Sequence, residues 1–219
     1  AHRGTDGRFR LDRLMKGLHD HLARHVARAE TRCYAVRDRI RYDVYDADLS
    51  RHGLRASTIL QRGVGFCIHK SIVFASVARA LGVPSRLAFS DVRNHLTTPR
   101  LRELVGGDVF CYHTHVEIWL HARWVKVAPV FNGNLCRMFG VPPLDFDGQH
   151  DAVLQRCGAD GGTQLQEVRA RGSSEEFPYE DCIATLRAHH PRLFDGAART
   201  RSGSMARERA STQTGDQSL

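Results

Sequence analysis

The sequence predicts an α+β fold in which a cysteine-headed helix packs on a small antiparallel sheet, with flanking helices at both ends. Three observations carry this. The run Gly63-Val64-Gly65-Phe66-Cys67 opens an apolar-periodic segment, Ile68 to Leu81, that Gly82 and Pro84 close. Residues 109–120 alternate as a strand, and Trp124-Val125-Lys126-Val127-Ala128 returns beside it after a short turn. Apolar residues recur at three- and four-residue steps over 9–29 and again over 179–189, the mark of amphipathic helices.

Along the chain, residues 1–8 read as disordered, 9–195 as one domain, and 196–219 as a disordered tail almost without large apolar side chains. The N-terminal helical pattern continues through Tyr34, Val36 and Ile40 and is expected to end near Tyr42. Residues 43–48 read as a turn or irregular linker, and a short helix falls between Leu49 and Gln61. A strand follows the cysteine helix from Ser85 to Val92. The connection 94–108 holds a short helix from Thr98-Pro99 to Val105, stopped by Gly106, and reads either as a lid or as a surface loop. A helical turn is expected at 135–139, ended by Gly140. Residues 163–171 read as irregular structure or a short helix. Tyr179 to His189 reads as a helix with Ile183 and Leu186 facing in.

On the strand at 109–120, Phe110, Tyr112, Val116, Ile118 and Leu120 share one face. Cys111, His113, His115, Glu117 and Trp119 share the other, a row that needs water or a partner.

The 219 residues carry a formal net charge of +8, and 42% are hydrophobic. Residues 1–41 hold eleven Arg/Lys against five Asp/Glu. Such a segment attracts acidic partners, but no zinc-finger spacing, RNP-like pattern or heptad accompanies it, so no specific nucleic-acid partner is expected. No apolar run approaches a membrane span, and Ala1-His2-Arg3-Gly4 opens no apolar leader. The six cysteines are well spread, with no C-x-x-C pair, which fits reduced thiols in a cytoplasm; a Cys157–Cys182 pairing stays open. Neither His21 with His25, four apart on a helical face, nor Asp145-Phe146-Asp147-Gly148 has the further ligands a metal site needs, so no metal is expected.

A cysteine in the first turn of a helix meets unpaired N–H groups that favour its thiolate, which would lower the thiol pKa. Such a cysteine is either a nucleophile or a small buried hydrophobe. A nucleophile needs a histidine within reach and gains from a third group that orients the imidazole.

The order of cysteine helix, strand, histidine strand and returning strand resembles the transglutaminase-like superfamily in its bacterial form, and implies a papain/transglutaminase-like core. The residues that carry the resemblance are Gly63 to Cys67, then Arg79-Ala80-Leu81-Gly82-Val83-Pro84-Ser85-Arg86, His113-Thr114-His115-Val116-Glu117 and Trp124 to Pro129. They are similar to the family's "RALGIPAR", "HAWVE" and "WVxxDPT" phrases. The stretch 132–148 also looks like a subgroup of bacterial transglutaminase-like proteins.

The resemblance implies that Cys67 is the nucleophile and His113 the general acid/base. The family's base stands four residues before the glutamate, which favours His113 over His115, although strand geometry alone allows either. The family's orienting Asp falls at Ala128, which offers no side-chain acceptor. Asn132 or Asp91 would have to replace it. The implied activity is cofactor-free acyl transfer or hydrolysis on peptide or protein amides. The alternative is a catalytically weakened or inactive binding module.

Overall fold

The computed structural model describes residues 27–95, 97–153, 156–157, 162–163 and 165–196. The expectations for 1–8, for the helical face at 9–26 with His21 and His25, and for the tail beyond 196 lie outside these residues.

Helix α1 runs over residues 27–39 and buries Ala29, Cys33 and Val36, with Ile40 following. It ends earlier than the pattern predicts, because Arg41–Tyr42 (β1) pairs in parallel with Val64–Gly65 (β2). Arg41 N–H donates to Gly63 O and Asp43 N–H to Gly65 O. Helix α2, Ala56–Arg62, stops at Gly63, whose φ of 63° suits glycine. A Cβ at Gly65 would collide with the side chain of His69, so the close approach of β2 to the next helix also requires glycine.

Helix α3, Cys67–Ala80, is buried on most sides. Gly82, at φ 77°, turns the chain, and Val83 N–H closes back on Ala78 O at 2.9 Å. Strand β3 spans Ser85–Asn94. Helix α4, Pro99–Val105, has its N-terminus capped by the Thr98 hydroxyl, which accepts from Leu101 N–H, and ends at Gly106. Its Leu101, Leu104 and Val105 are in the core, so the connection is a packed element with the character of neither a lid nor a free loop.

Strands β4, Val109–Leu120, and β5, Arg123–Val127, form the expected hairpin. His121 and Ala122 take φ of 50° and 60°, the left-handed pair that two-residue hairpins favour. Trp119 and Trp124 meet edge-on across this hairpin at 5.3 Å, and the Arg86 guanidinium lies 4.2 Å over Trp124. Helix α5, Gly133–Phe139, ends at Gly140. A two-residue pair, β6 (Arg156–Cys157) and β7 (Gly162–Thr163), precedes β8, Leu165–Ser174. Helix α6, Tyr179–His189, buries Cys182, Ile183 and Leu186, and a 3₁₀ turn over Pro191–Phe194 follows. Cys182 is a free thiol, so the pairing with Cys157 is not formed.

The main sheet has the order β5-β4-β3-β8 and is antiparallel throughout. Strand β8 corrects the expectation for 163–171. Only Leu165 of its side chains is buried, so no apolar period marks it; backbone pairing with β3, from Leu87↔Ser174 to Asn94↔Leu165, makes it a strand. The core lies where α3 packs along β4, with Ile68, Val73, Phe74, Val116, Ile118 and Val125 all shielded from solvent. Among the described residues no helix is long and apolar enough to cross a membrane.

Candidate functional site

The site begins at the edge of β4. Strand β5 pairs with β4 only as far as Val127, opposite Val116, so it leaves the Thr114 backbone without a strand partner on that side. Helix α3 supplies the partner instead. The Ser71 hydroxyl donates to Thr114 O at 2.9 Å, and Thr114 N–H faces the Cys67 sulfur. A strand edge buried without such partners would leave both groups unpaired. The Cys67 sulfur is therefore set beside the peptide that joins His113 to Thr114.

Local structure before His113 fixes where this peptide lies. Strand β4 carries a bulge, with Ser90 opposite His113 but Val92 opposite Phe110, and Tyr112 takes φ 54°. Two buried side chains hold the bulge. Asp91 Oδ1 accepts from Tyr112 N–H at 3.1 Å, and His190 Nε2 accepts from Cys111 N–H at 3.0 Å. His190 donates from Nδ1 to Val105 O at 2.7 Å.

The electrostatics correct one expectation. Burial pushes the Cys67 thiol up to about 11, and the N–H groups of Thr114, Ile68 and Cys67 itself, which pull the other way, do not overcome it. The helix start was expected to lower this pKa; desolvation outweighs it. Burial lowers His113 to about 3, with His115 acting in the same direction. His115 is lowered by burial to about 4, against the pull of Glu117. At rest the thiol is thus protonated and both imidazoles are uncharged.

Among the described residues, neither imidazole is hydrogen-bonded to Cys67, and His115 Nε2 is buried without a partner. Catalytic contacts of this kind often tighten only when substrate binds. The row His113, His115 and Glu117 is buried rather than solvated, and Glu117 Oε2 accepts from Arg86 Nε at 2.5 Å.

No acid stands at the family's third position. Ala128 is buried, and its N–H donates to Ala152 O at 2.9 Å. Asn132 does not fill the gap. Its carboxamide accepts from Tyr42 N–H at 2.7 Å and donates to Ile40 O at 3.0 Å and to Arg37 O, binding α1 and β1 instead of an imidazole. Asp91 is committed to Arg171, at 2.5 and 2.8 Å, and to the bulge. The structure thus sets the Cys67 sulfur beside the Thr114 N–H, shows no contact between it and the His113 imidazole among the described residues, and places Asn132 and Asp91 in other networks.

Two residues beside the site went unnoticed in the sequence. Lys70, one turn after Cys67, has no exposed surface. Its Nζ donates to Val130 O at 2.6 Å and Arg37 O at 2.7 Å. No carboxylate pairs with it among the described residues, and burial drives its pKa down to about 7 against the pull of Asp38. Tyr42 lies beside it, with its ring centroid 5.9 Å from Lys70 Nζ and 4.9 Å from the Phe131 ring. Burial and the nearby Cys67 sulfur both raise the Tyr42 phenol. A lysine in an amphipathic pattern gives no sign of which way it points, and Tyr42 is one aromatic among several in its stretch.

Among the described residues no cluster of three or more His, Cys, Asp or Glu side chains is arranged to hold a metal ion. A comparison with curated proteins finds no match. The sequence profile of the transglutaminase-like superfamily matches residues 11–129, more than half of the chain and the whole run from α1 to the end of β5. With the cysteine helix, the antiparallel sheet and the histidine strand in the order described, the chain belongs to the transglutaminase-like superfamily.

Proposed function

We propose that the protein performs thiol-mediated acyl transfer or hydrolysis on peptide or protein amides, with Cys67 as nucleophile and His113 as general acid/base. One observation carries this reading: the first turn of α3 sets the Cys67 sulfur against the peptide between His113 and Thr114. Because both groups rest neutral, the thiol proton passes to His113 as the sulfur attacks the amide carbonyl. The N–H groups of Cys67 and Ile68, which face the sulfur, would receive the oxyanion. The C–N bond then breaks, His113 returns the proton to the departing amine, and a thioester remains for water or a primary amine to resolve. These steps balance without a cofactor. The described cysteines are free thiols, which fits a reducing compartment such as the cytoplasm.

The test follows ammonia release from a blocked glutamine peptide and the intact mass of the protein during turnover. A thioester adduct on Cys67, lost in Cys67→Ala and strongly reduced in His113→Ala, is the expected result. Ammonia release that persists in Cys67→Ala overturns the reading.

Ala128 favours a second reading, a weakened or inactive binding module, because its side chain offers no acceptor to orient the imidazole. That reading expects no adduct on Cys67 in the wild-type chain under any acceptor.

A further inference from the structure

A cavity of about 520 Å³ lies against Tyr42, within the range of roughly 300–1,000 Å³ that small-ligand pockets occupy. Tyr42 stands between this cavity and the nucleophile. On one side, β1 places it in register with Gly65, two residues before Cys67. On the other, it lines the cavity with Asn132, whose Oδ1 holds its N–H.

The charge of the lining is uneven. Three guanidiniums, Arg37, Arg41 and Arg137, face one carboxylate, Asp38. Asp38 is already engaged, accepting from Arg37 at 2.7 Å and from Gly133 N–H at 2.9 Å. Arg37 also donates to Leu144 O. Arg41 pairs with the buried Asp43 and, at 3.4 Å, with Asp46, yet half of its side chain stays exposed. Arg137 meets only Asn134 Oδ1, a neutral acceptor, among the described residues. Its charge is uncompensated at the wall of a concave site that also offers Leu135 and Met138 as apolar surface.

We propose that this cavity is a substrate subsite that takes the carboxylate side chain of an acidic residue flanking the reactive amide, held by Arg137 with Arg41 beside it. The proposal rests on Cys67 as the nucleophile for its catalytic meaning. A guanidinium fork matches a carboxylate with two parallel hydrogen bonds, and the methylenes of a glutamate would lie on Leu135 and Met138. The neighbouring backbone amide or glutamine side chain would extend past Tyr42 towards Cys67, which is not itself in the cavity wall.

Binding is measured by fluorescence anisotropy on the Cys67→Ala chain, with a labelled Glu-Gln-Glu peptide and its Lys-Gln-Lys counterpart. The acidic peptide is expected to bind about tenfold tighter, an advantage that shrinks as salt is added. Arg137→Glu, an exposed substitution, should abolish or reverse the preference, while Arg137→Lys should keep part of it. Equal binding of the two peptides, or an unchanged preference in Arg137→Glu, overturns the proposal. Turnover by the wild-type chain separates the two claims. Turnover without charge preference overturns the cavity and leaves the nucleophile. Tight, Arg137-dependent binding with no adduct on Cys67 supports the cavity and removes the nucleophile.

Discussion

Two cations, the part-buried Arg171 and the fully buried Lys70, are kept in different ways. Arg171 meets Asp91 through two hydrogen bonds, and the pair holds the bulge from which His113 follows. Its guanidinium stays charged, and Asp91 is held below the usual carboxylate range because the hydrogen bonds outweigh its burial. Among the described residues Lys70 donates only to carbonyl oxygens, and burial brings its pKa to about 7. Where an acid is present, the charge is fixed near neutral pH; where it is absent, the group titrates. Burial, with His115 acting in the same direction, likewise leaves His113 neutral.

Breaking the paired cation should have the largest effect. Asp91→Ala leaves Arg171 without its carboxylate and frees the bulge, and should lower stability by about 3 kcal/mol in urea unfolding. A loss under 1 kcal/mol would mean that the pair does not hold the bulge.

The unpaired cation predicts a pH dependence. Between about 7 and its ordinary 10.5 the unfolded lysine holds a proton that the folded one has lost, so stability rises with pH across that window and is flat below it. The rise from pH 7 to 9 should be about 2 kcal/mol and should vanish in Lys70→Met. His113 acts with the same sign at lower pH: its folded pKa of about 3 lies below 6.5, so stability falls as pH drops through 6.5 towards 3.

Supplying the acid sharpens the comparison from the other direction. Ala128→Asp should raise His113 and speed alkylation of Cys67 by iodoacetamide about tenfold at pH 7.5, or about 1.4 kcal/mol. Unchanged alkylation in a folded variant would show that the missing acid does not limit the site. The smallest effect is expected at Ser71→Ala, which removes one hydroxyl from Thr114 O and should cost about 1 kcal/mol.

How much of this was legible in the sequence depends on the kind of interaction. Cys67 at a helix start, the short helix opened by Thr98-Pro99 and its stop at Gly106 follow from local rules, and each is present, whereas the two faces expected of the histidine strand are broken by the bulge at Tyr112. Strand β8 was not legible, because an edge strand with polar side chains on both faces is made by its partner's backbone. The thiol pKa was misjudged because a helix terminus is visible in sequence and the depth of burial is not. Lys70 was invisible for the same reason. Asn132 was placed close to the right strand, but the carbonyls that end α1 claim its carboxamide, and their nearness is a tertiary fact.

The edge-on pair of Trp119 and Trp124 gives the molecule an optical handle. These are the only tryptophans in the chain, and both sit on one hairpin, with Arg86 stacked on the second. Emission excited at the red edge of the absorption band therefore comes from the β4–β5 hairpin alone. Two indoles at 5.3 Å also couple as an exciton pair, so near-ultraviolet circular dichroism should carry a signature that vanishes when the hairpin opens. The spectrum thus reports the hairpin that carries His113.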